Sequence, residues 1–242
     1  VCMNWSDAWS ALLSHLRASF GAQAVAEQSW MVWAVLAAVL VLVATPVWTH
    51  VRQIVTVVHE LGHAVVGILC GRKFTGFVIN RDMSGHTVTS GRPRGPGIVL
   101  TTLAGYPLPS IVGAAMVAAA MAGRAQLVLL IAMVLIVVAL IRSRSLYTVL
   151  ALLALLVAGG LLWWSENFTL AALVVLAVGV LLLIGGWRQF GSVLRRGGNN
   201  DDPRALASLT ILPTWMWNAI IFVLMAAPTW WAASSFLPIA FG

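Results

Sequence analysis

Apolar residues recur every three or four positions near the start of the chain, where Trp5, Trp9, Leu12, Leu13, Leu16 and Phe20 interleave with Ser6, Asp7, Ser10, Ser14 and Arg17. That period predicts an amphipathic helix, either lying at a membrane interface or packed on the rest of the protein. From Trp30 the polar positions thin out into a series of apolar runs. These are Trp30 to Trp48, ending at Thr45-Pro46, then His50 to Cys70, Ile98 to Met121, Gln126 to Ile141, Leu146 to Trp164 and Phe168 to Gly186. A last apolar stretch, Arg204 to Phe241, is broken by Pro213, Pro228 and Pro238. Each of the first two runs is roughly 20 residues, enough to cross hydrocarbon once at about 1.5 Å per residue. The Ile98 to Met121 run contains Gly105-Tyr106-Pro107-Leu108-Pro109. Its helix must kink or break there, because each proline removes a donor and crowds the preceding turn.

Two stretches leave the helical pattern. Phe74 to Asn80 and His86 to Ser90 are β-branched or aromatic-rich and bracket the turn-prone Arg81-Asp82-Met83-Ser84-Gly85, which predicts a short β-hairpin before the loop Gly91 to Gly97. Trp187 to Pro203 reads as a polar, basic connector holding Gly197-Gly198-Asn199-Asn200-Asp201-Asp202-Pro203. The predicted architecture is an all-α polytopic membrane protein with a small β-hairpin after the second run. It makes seven crossings, or six if Asp202 to Leu212 is a re-entrant half-helix. Residues 1–29 form an N-terminal segment and residues 30–242 a single domain, with the hairpin at 74–90 and a polar loop at 187–204.

Composition supports this picture. The chain of 242 residues is 61% hydrophobic and 9% charged, too little charge for a water-facing surface of normal density. Its net charge of +7 is spread through loops between apolar runs, which marks topology and excludes a nucleic-acid surface. If the Gly71 to Gly97 loop is cytoplasmic, Arg17, Arg72, Lys73, Arg81, Arg92, Arg94, Arg142, Arg144, Arg188, Arg195, Arg196 and Arg204 share that side, leaving Arg52 and Arg124 on the other. Cys2 and Cys70 have no paired spacing, so neither a disulfide framework nor a cysteine-rich zinc site is expected. No cleaved leader is expected either, because the first apolar run follows ordinary polar sequence without a basic start.

Within the second run stands His59-Glu60-Leu61-Gly62-His63. On a helix, positions i and i+4 are neighbours, so two imidazoles can share one tetrahedral zinc with Glu60 beside them to hold a water. A chance match competes with this reading, as does a proton or ion pathway in a transporter. Ionisable groups in a membrane span are costly and ask for a cause. A catalytic zinc takes three protein ligands and a structural one four, so at least one further ligand is needed. The acids are few: Asp7, Glu27, Glu60, Asp82, Glu166, Asp201 and Asp202. Cys70 lies about 10 Å along the helix from His63 and cannot reach the same ion. Glu166 falls on the opposite side, Asp7 and Glu27 belong to the N-terminal segment, and Asp82 and His86 sit in a turn-bearing hairpin that favours solvent. Asp201 and Asp202 remain, although Asp202 before Pro203 is also what a helix N-cap looks like. Tyr106 and Asn218 are candidate oxyanion donors, or packing and helix-bridging residues.

These residues resemble the site-2 protease class of intramembrane zinc metalloproteases, in its compact branch without a PDZ domain. The resemblance covers about residues 50 to 225. It rests on His59-Glu60-Leu61-Gly62-His63-Ala64, on Ala104-Gly105-Tyr106-Pro107-Leu108-Pro109-Ser110, and on Asp202 with Leu206, Ala207, Thr210, Pro213 and Trp217. It implies zinc on His59, His63 and Asp202, with Asp201 as the fallback, and Glu60 as general base and later proton donor. The substrate it implies is a membrane-anchored protein, cut in or near a transmembrane segment. The Leu-Asp-Gly element of larger members is replaced here by Asn199-Asn200-Asp201-Asp202-Pro203. Under this resemblance the hairpin gains a role, because an exposed strand edge such as Phe74 to Asn80 can hold an extended peptide. A non-proteolytic relative, binding zinc structurally or acting as chaperone or transporter, is the competing reading.

Overall fold

Proline sets the two sharpest bends in the chain. The computed structural model describes residues 5–23, 29–79, 85–142, 146–196 and 201–236. Helix α1 (Trp5–Ser19) precedes α2 (Ser29–Ala44), which stops just before Pro46, and α3 (Trp48–Leu69) then leaves at 103° to it. After the hairpin β1 (Lys73–Ile79) and β2 (Gly85–Ser90), α4 (Pro96–Leu103) meets α5 (Pro107–Met121) at 55° across Ala104, Gly105 and Tyr106. That is the break the prolines predict. Three apolar helices follow, α6 (Ala125–Arg142), α7 (Leu146–Trp164) and α8 (Phe168–Arg196), then the short α9 (Asp202–Leu209) and α10 (Thr214–Ser234).

Helices α8 and α10 are each long and apolar enough to cross a membrane, and the bent pairs α2–α3 and α4–α5 qualify as one span apiece. The shorter apolar helices α6 and α7 bring the set to six among the described residues. The fold is therefore the expected helical membrane protein with a small sheet, and the bend at Pro46 joins two of the expected crossings into one broken element.

The packing is that of a membrane bundle. Where α5 meets α8, a Cβ on Gly113 would stand 2.7 Å from the Gly179 carbonyl oxygen, so the two backbones touch directly. Small residues at such crossings let helices gain contact where hydrophobicity gives no drive. A larger core of Val, Leu and Ala from α2, α5, α6 and α8 surrounds this contact. A second cluster, Tyr106, Phe190, Leu206, Trp217, Ile221 and Met225, ties α9 and α10 to the α4–α5 break.

The two ends of the bundle differ. At one, His15 of α1 lies 3.1 Å from Glu166 and 2.7 Å from the Trp163 carbonyl oxygen, and the Gln23 amide donates to the Gly123 carbonyl at 2.8 Å. Leu12 and Leu16 of α1 pack on the core while Trp5, Trp9 and Phe20 stay exposed. At the other end, Phe190 packs on Tyr106 with ring centroids 5.5 Å apart. This arrangement corrects two side assignments. Arg17 rides on α1, whose His15 pairs with Glu166, and so lies at the end of the α7–α8 turn. Arg52 sits level with Gln189, which donates to the Arg52 carbonyl at 3.4 Å, because α3 turns across the bundle after Pro46. Among the described residues, Arg17 and Arg124 then belong to the far end.

The polar loop expected at 187–204 is also corrected, since α8 continues to Arg196. Its polar residues have helix-compatible partners. Arg188 donates to the Val43 carbonyl and stands 5.2 Å over the Trp48 ring, Gln189 reaches Thr56 Oγ1 at 3.2 Å, and the Trp187 indole donates to Thr229 at 3.0 Å. Residues 197–200 lie outside the described residues.

The hairpin forms where predicted, with Lys73 opposite Ser90 and an irregularity between Phe74 and Gly76. Strand β2 faces α3, and Thr87 Oγ1 donates to the Glu60 carbonyl at 3.1 Å. Helix α3 is itself pressed onto the α4–α5 break, where a Cβ on Gly62 would lie 2.6 Å from the Ala104 carbonyl oxygen. Gly62→Ala is accordingly expected to cost about 1–3 kcal/mol of stability. A fall in the thermal unfolding midpoint in detergent would report it, whereas Gly191→Ala, with nothing within 4 Å of an added Cβ, should leave the midpoint in place.

Candidate metal centre

The i, i+4 spacing on α3 puts His59 and His63 side by side, and their Nε2 atoms stand 3.2 Å apart. His63 Nδ1 lies 2.8 Å from the Thr101 carbonyl oxygen on α4. A carbonyl only accepts, so Nδ1 carries the proton and Nε2 presents its lone pair inward. The ring of His59 is held edge-on by Tyr106, with centroids 4.6 Å apart. Tyr106 is buried against Phe190.

The third donor comes from α9. Asp202 Oδ2 stands 3.2 Å from His59 Nε2 and 3.4 Å from His63 Nε2. The N-cap reading of Asp202 is corrected here: the helix begins at Asp202 itself, with extended backbone at Asp201 in the cap position and no side-chain capping bond. That geometry frees the Asp202 carboxylate to turn toward α3.

The three atoms fit a metal ion on three counts. A tetrahedral ion with bonds of about 2.0–2.1 Å has ligand-to-ligand edges of about 3.3–3.4 Å, close to the triangle seen here. Asp202 Oδ2 is buried without a hydrogen-bond partner, and one proton on His59 could not serve both of its neighbours. Finally, a Cβ on Gly105 would fall 2.6 Å from His63 Nε2 and 2.7 Å from Asp202 Oδ2, so the absence of a side chain keeps open the point where the donors converge. Among the described residues these three form the one group of His, Cys, Asp or Glu donors close enough to share an ion.

Glu60, also buried, lines a cavity of about 460 Å³ together with both histidines, Tyr106, Asp201 and Asp202. Thr87, Val88 and Thr89 of β2 form another wall, so among the described residues it is β2 rather than the expected Phe74 to Asn80 strand that borders this space. Asp201 reaches the cavity but not the triangle. Asn218 is not among the lining residues, and its Oδ1 is buried without a partner. Cys70 is a free thiol beyond the end of α3, Glu166 pairs with His15 at the far end, and Asp7 is exposed on α1. Glu27 and Asp82 lie outside the described residues, and His86 belongs to β2.

Sequence reasoning passed over Thr101, Gly105 and Arg72. Thr101 acts through its backbone carbonyl, which no residue type announces. Gly105 stood in view as part of a kink, and its adjacency to two prolines was a signal for a break but not for what approaches it. If Gly105 keeps the donor triangle open, Gly105→Ala should lower bound zinc from about one ion per chain toward zero. Elemental analysis of protein purified in detergent measures this, with Gly191→Ala expected to retain the metal.

Neither a curated protein nor a solved structure matches the chain. A family model described as Peptidase M50B-like matches residues 32–233, a stretch that contains His59, Glu60, His63 and Asp202 and most of the bundle. With the apolar spans already described, that match bears out the resemblance to the site-2 proteases: the chain belongs to the Peptidase M50B-like family of membrane metalloproteases.

Proposed function

We propose that the protein is a zinc-dependent intramembrane endopeptidase that hydrolyses a peptide bond in or near a transmembrane segment of a membrane-anchored substrate. The observation that carries this reading is the donor triangle of His59, His63 and Asp202 beside Glu60, on a polar cavity within an otherwise apolar bundle. His59, His63 and Asp202 hold the ion, and Asp202 is preferred to Asp201 because its carboxylate alone of the two belongs to the close group. When bound there, zinc raises the acidity of a water and polarises the scissile carbonyl.

The chain's own residues supply the remaining steps. Glu60 takes a proton from the attacking water and delivers it to the leaving amine. Thr101 keeps His63 in the tautomer with its lone pair on Nε2, and Tyr106 fixes the plane of His59. Strand β2 offers main-chain groups along the cavity to an extended peptide, a mode that gives affinity without demanding a particular sequence. Residues 30–242 act as one catalytic unit preceded by the 1–29 segment. The excess of Arg and Lys at the end that holds the site supports an active site toward the cytoplasmic side.

Two measurements test this reading. Glu60→Gln should retain zinc while cleavage of a model transmembrane substrate falls by about 10²–10⁴-fold. Equal cleavage by both proteins would sink the peptidase and favour a relative that binds zinc structurally. Asp202→Ala should lose the metal and Asp201→Ala should keep it, and the opposite pattern would move the third ligand to Asp201.

A further inference from the structure

The cavity beside the donor triangle has two chemically different ends. The carboxylates Glu60, Asp201 and Asp202 gather at the metal end, whereas Arg72 is the one Lys or Arg among the described residues that line it. Gly71 ends α3 in the left-handed region, at φ +74°, and the Arg72 amide closes the turn on the Gly67 carbonyl at 2.9 Å. The side chain is then fixed from several directions. Nε donates to Thr89 Oγ1 at 3.2 Å, Nη1 to the Arg92 carbonyl at 2.8 Å and Nη2 to the Thr89 carbonyl at 3.5 Å. A guanidinium has five N–H groups, so these bonds leave one on each terminal nitrogen. Two N–H groups on a rigid fork match a carboxylate.

The position along β2 gives the subsite a register. Thr87 bonds the Glu60 carbonyl, and Thr89, on which Arg72 rests, is two residues further along the same strand. An extended chain rises about 3.3 Å per residue. We propose that Arg72 is a specificity-determining residue that accepts an acidic side chain of the substrate about two or three residues from the bond to be cut. This rests on the peptidase reading. A purely bracing Arg72, holding the hairpin to the loop at Arg92, would have no effect on which peptide is preferred.

The test reads binding, so it stands apart from cleavage. Full-length Glu60→Gln protein in detergent is titrated with fluorescent extended peptides in which one Glu is scanned across the central positions, each beside its Gln counterpart. One position, or two adjacent ones, should bind Glu roughly tenfold more tightly than Gln. Adding Arg72→Gln should abolish that preference, and Arg72→Glu should shift it toward Lys. A scan without any Glu preference, or a preference that survives Arg72→Gln, overturns the proposal. So does a weakening of all peptides alike, which is the signature of a brace. Should Arg72→Gln not fold, Arg72→Lys keeps the charge without the fork and should lower the preference several-fold, and an unchanged preference overturns the proposal. A protein that cuts without an acidic preference refutes the subsite alone, and an acidic preference without cutting refutes the peptidase alone.

Discussion

Two imidazole nitrogens and a buried carboxylate oxygen meet within 3.2 Å to 3.4 Å of one another, close enough for the three to share one cation. Much of the fold follows from having to bring these atoms together. Helix α3 supplies two of them, and α9, far along the chain, supplies the third. For α9 to arrive, the wall between them must come close as bare backbone. The α4–α5 break does this with Gly105 facing the donors and Ala104 pressed onto Gly62. The same break offers the Thr101 carbonyl to His63 and the Tyr106 ring to His59. A continuous helix could not present all three, because its carbonyls are committed to its own ladder.

What was legible in the chain is what local spacing decides. The four-residue step from His59 to His63, the Pro-rich break at 107–109 and the two strands of the hairpin are short-range patterns, and among the described residues each element stands close to where it was expected. What was not legible depends on partners distant in sequence. Trp187 to Arg196 looks like a connector because polar side chains ordinarily call for water, yet Val43, Thr56 and Thr229 partner Arg188, Gln189 and Trp187 within the bundle. Proline at 46 announces a bend but not its angle, and the 103° turn is what moved Arg52 to the other end. Which of Asp201 and Asp202 stands close to both histidines depends on the backbone conformation at the start of α9, which composition does not encode.

The far end of the molecule is organised by ordinary means. His15, Ser19 and Trp163 lock α1 to the α7–α8 turn, with the Trp163 indole donating to Ser19 at 2.8 Å. Helix α8 runs from that turn to Phe190, so it carries the position of α1 to the aromatic cluster beneath the donors. The charge distribution follows this long helix, with few cations at its start and many near its end.

The polar cavity has a consequence of its own. Inside a helix every peptide carbonyl and N–H is committed to the ladder, whereas β2 borders the space of about 460 Å³ beside Glu60 with strand backbone. On the peptidase reading, a substrate segment lying along β2 would do so uncoiled. Its readiness to give up helical hydrogen bonds in lipid would then weigh on the rate, a property of the substrate rather than of the catalyst, and glycine or proline near the cut would be expected to favour cleavage.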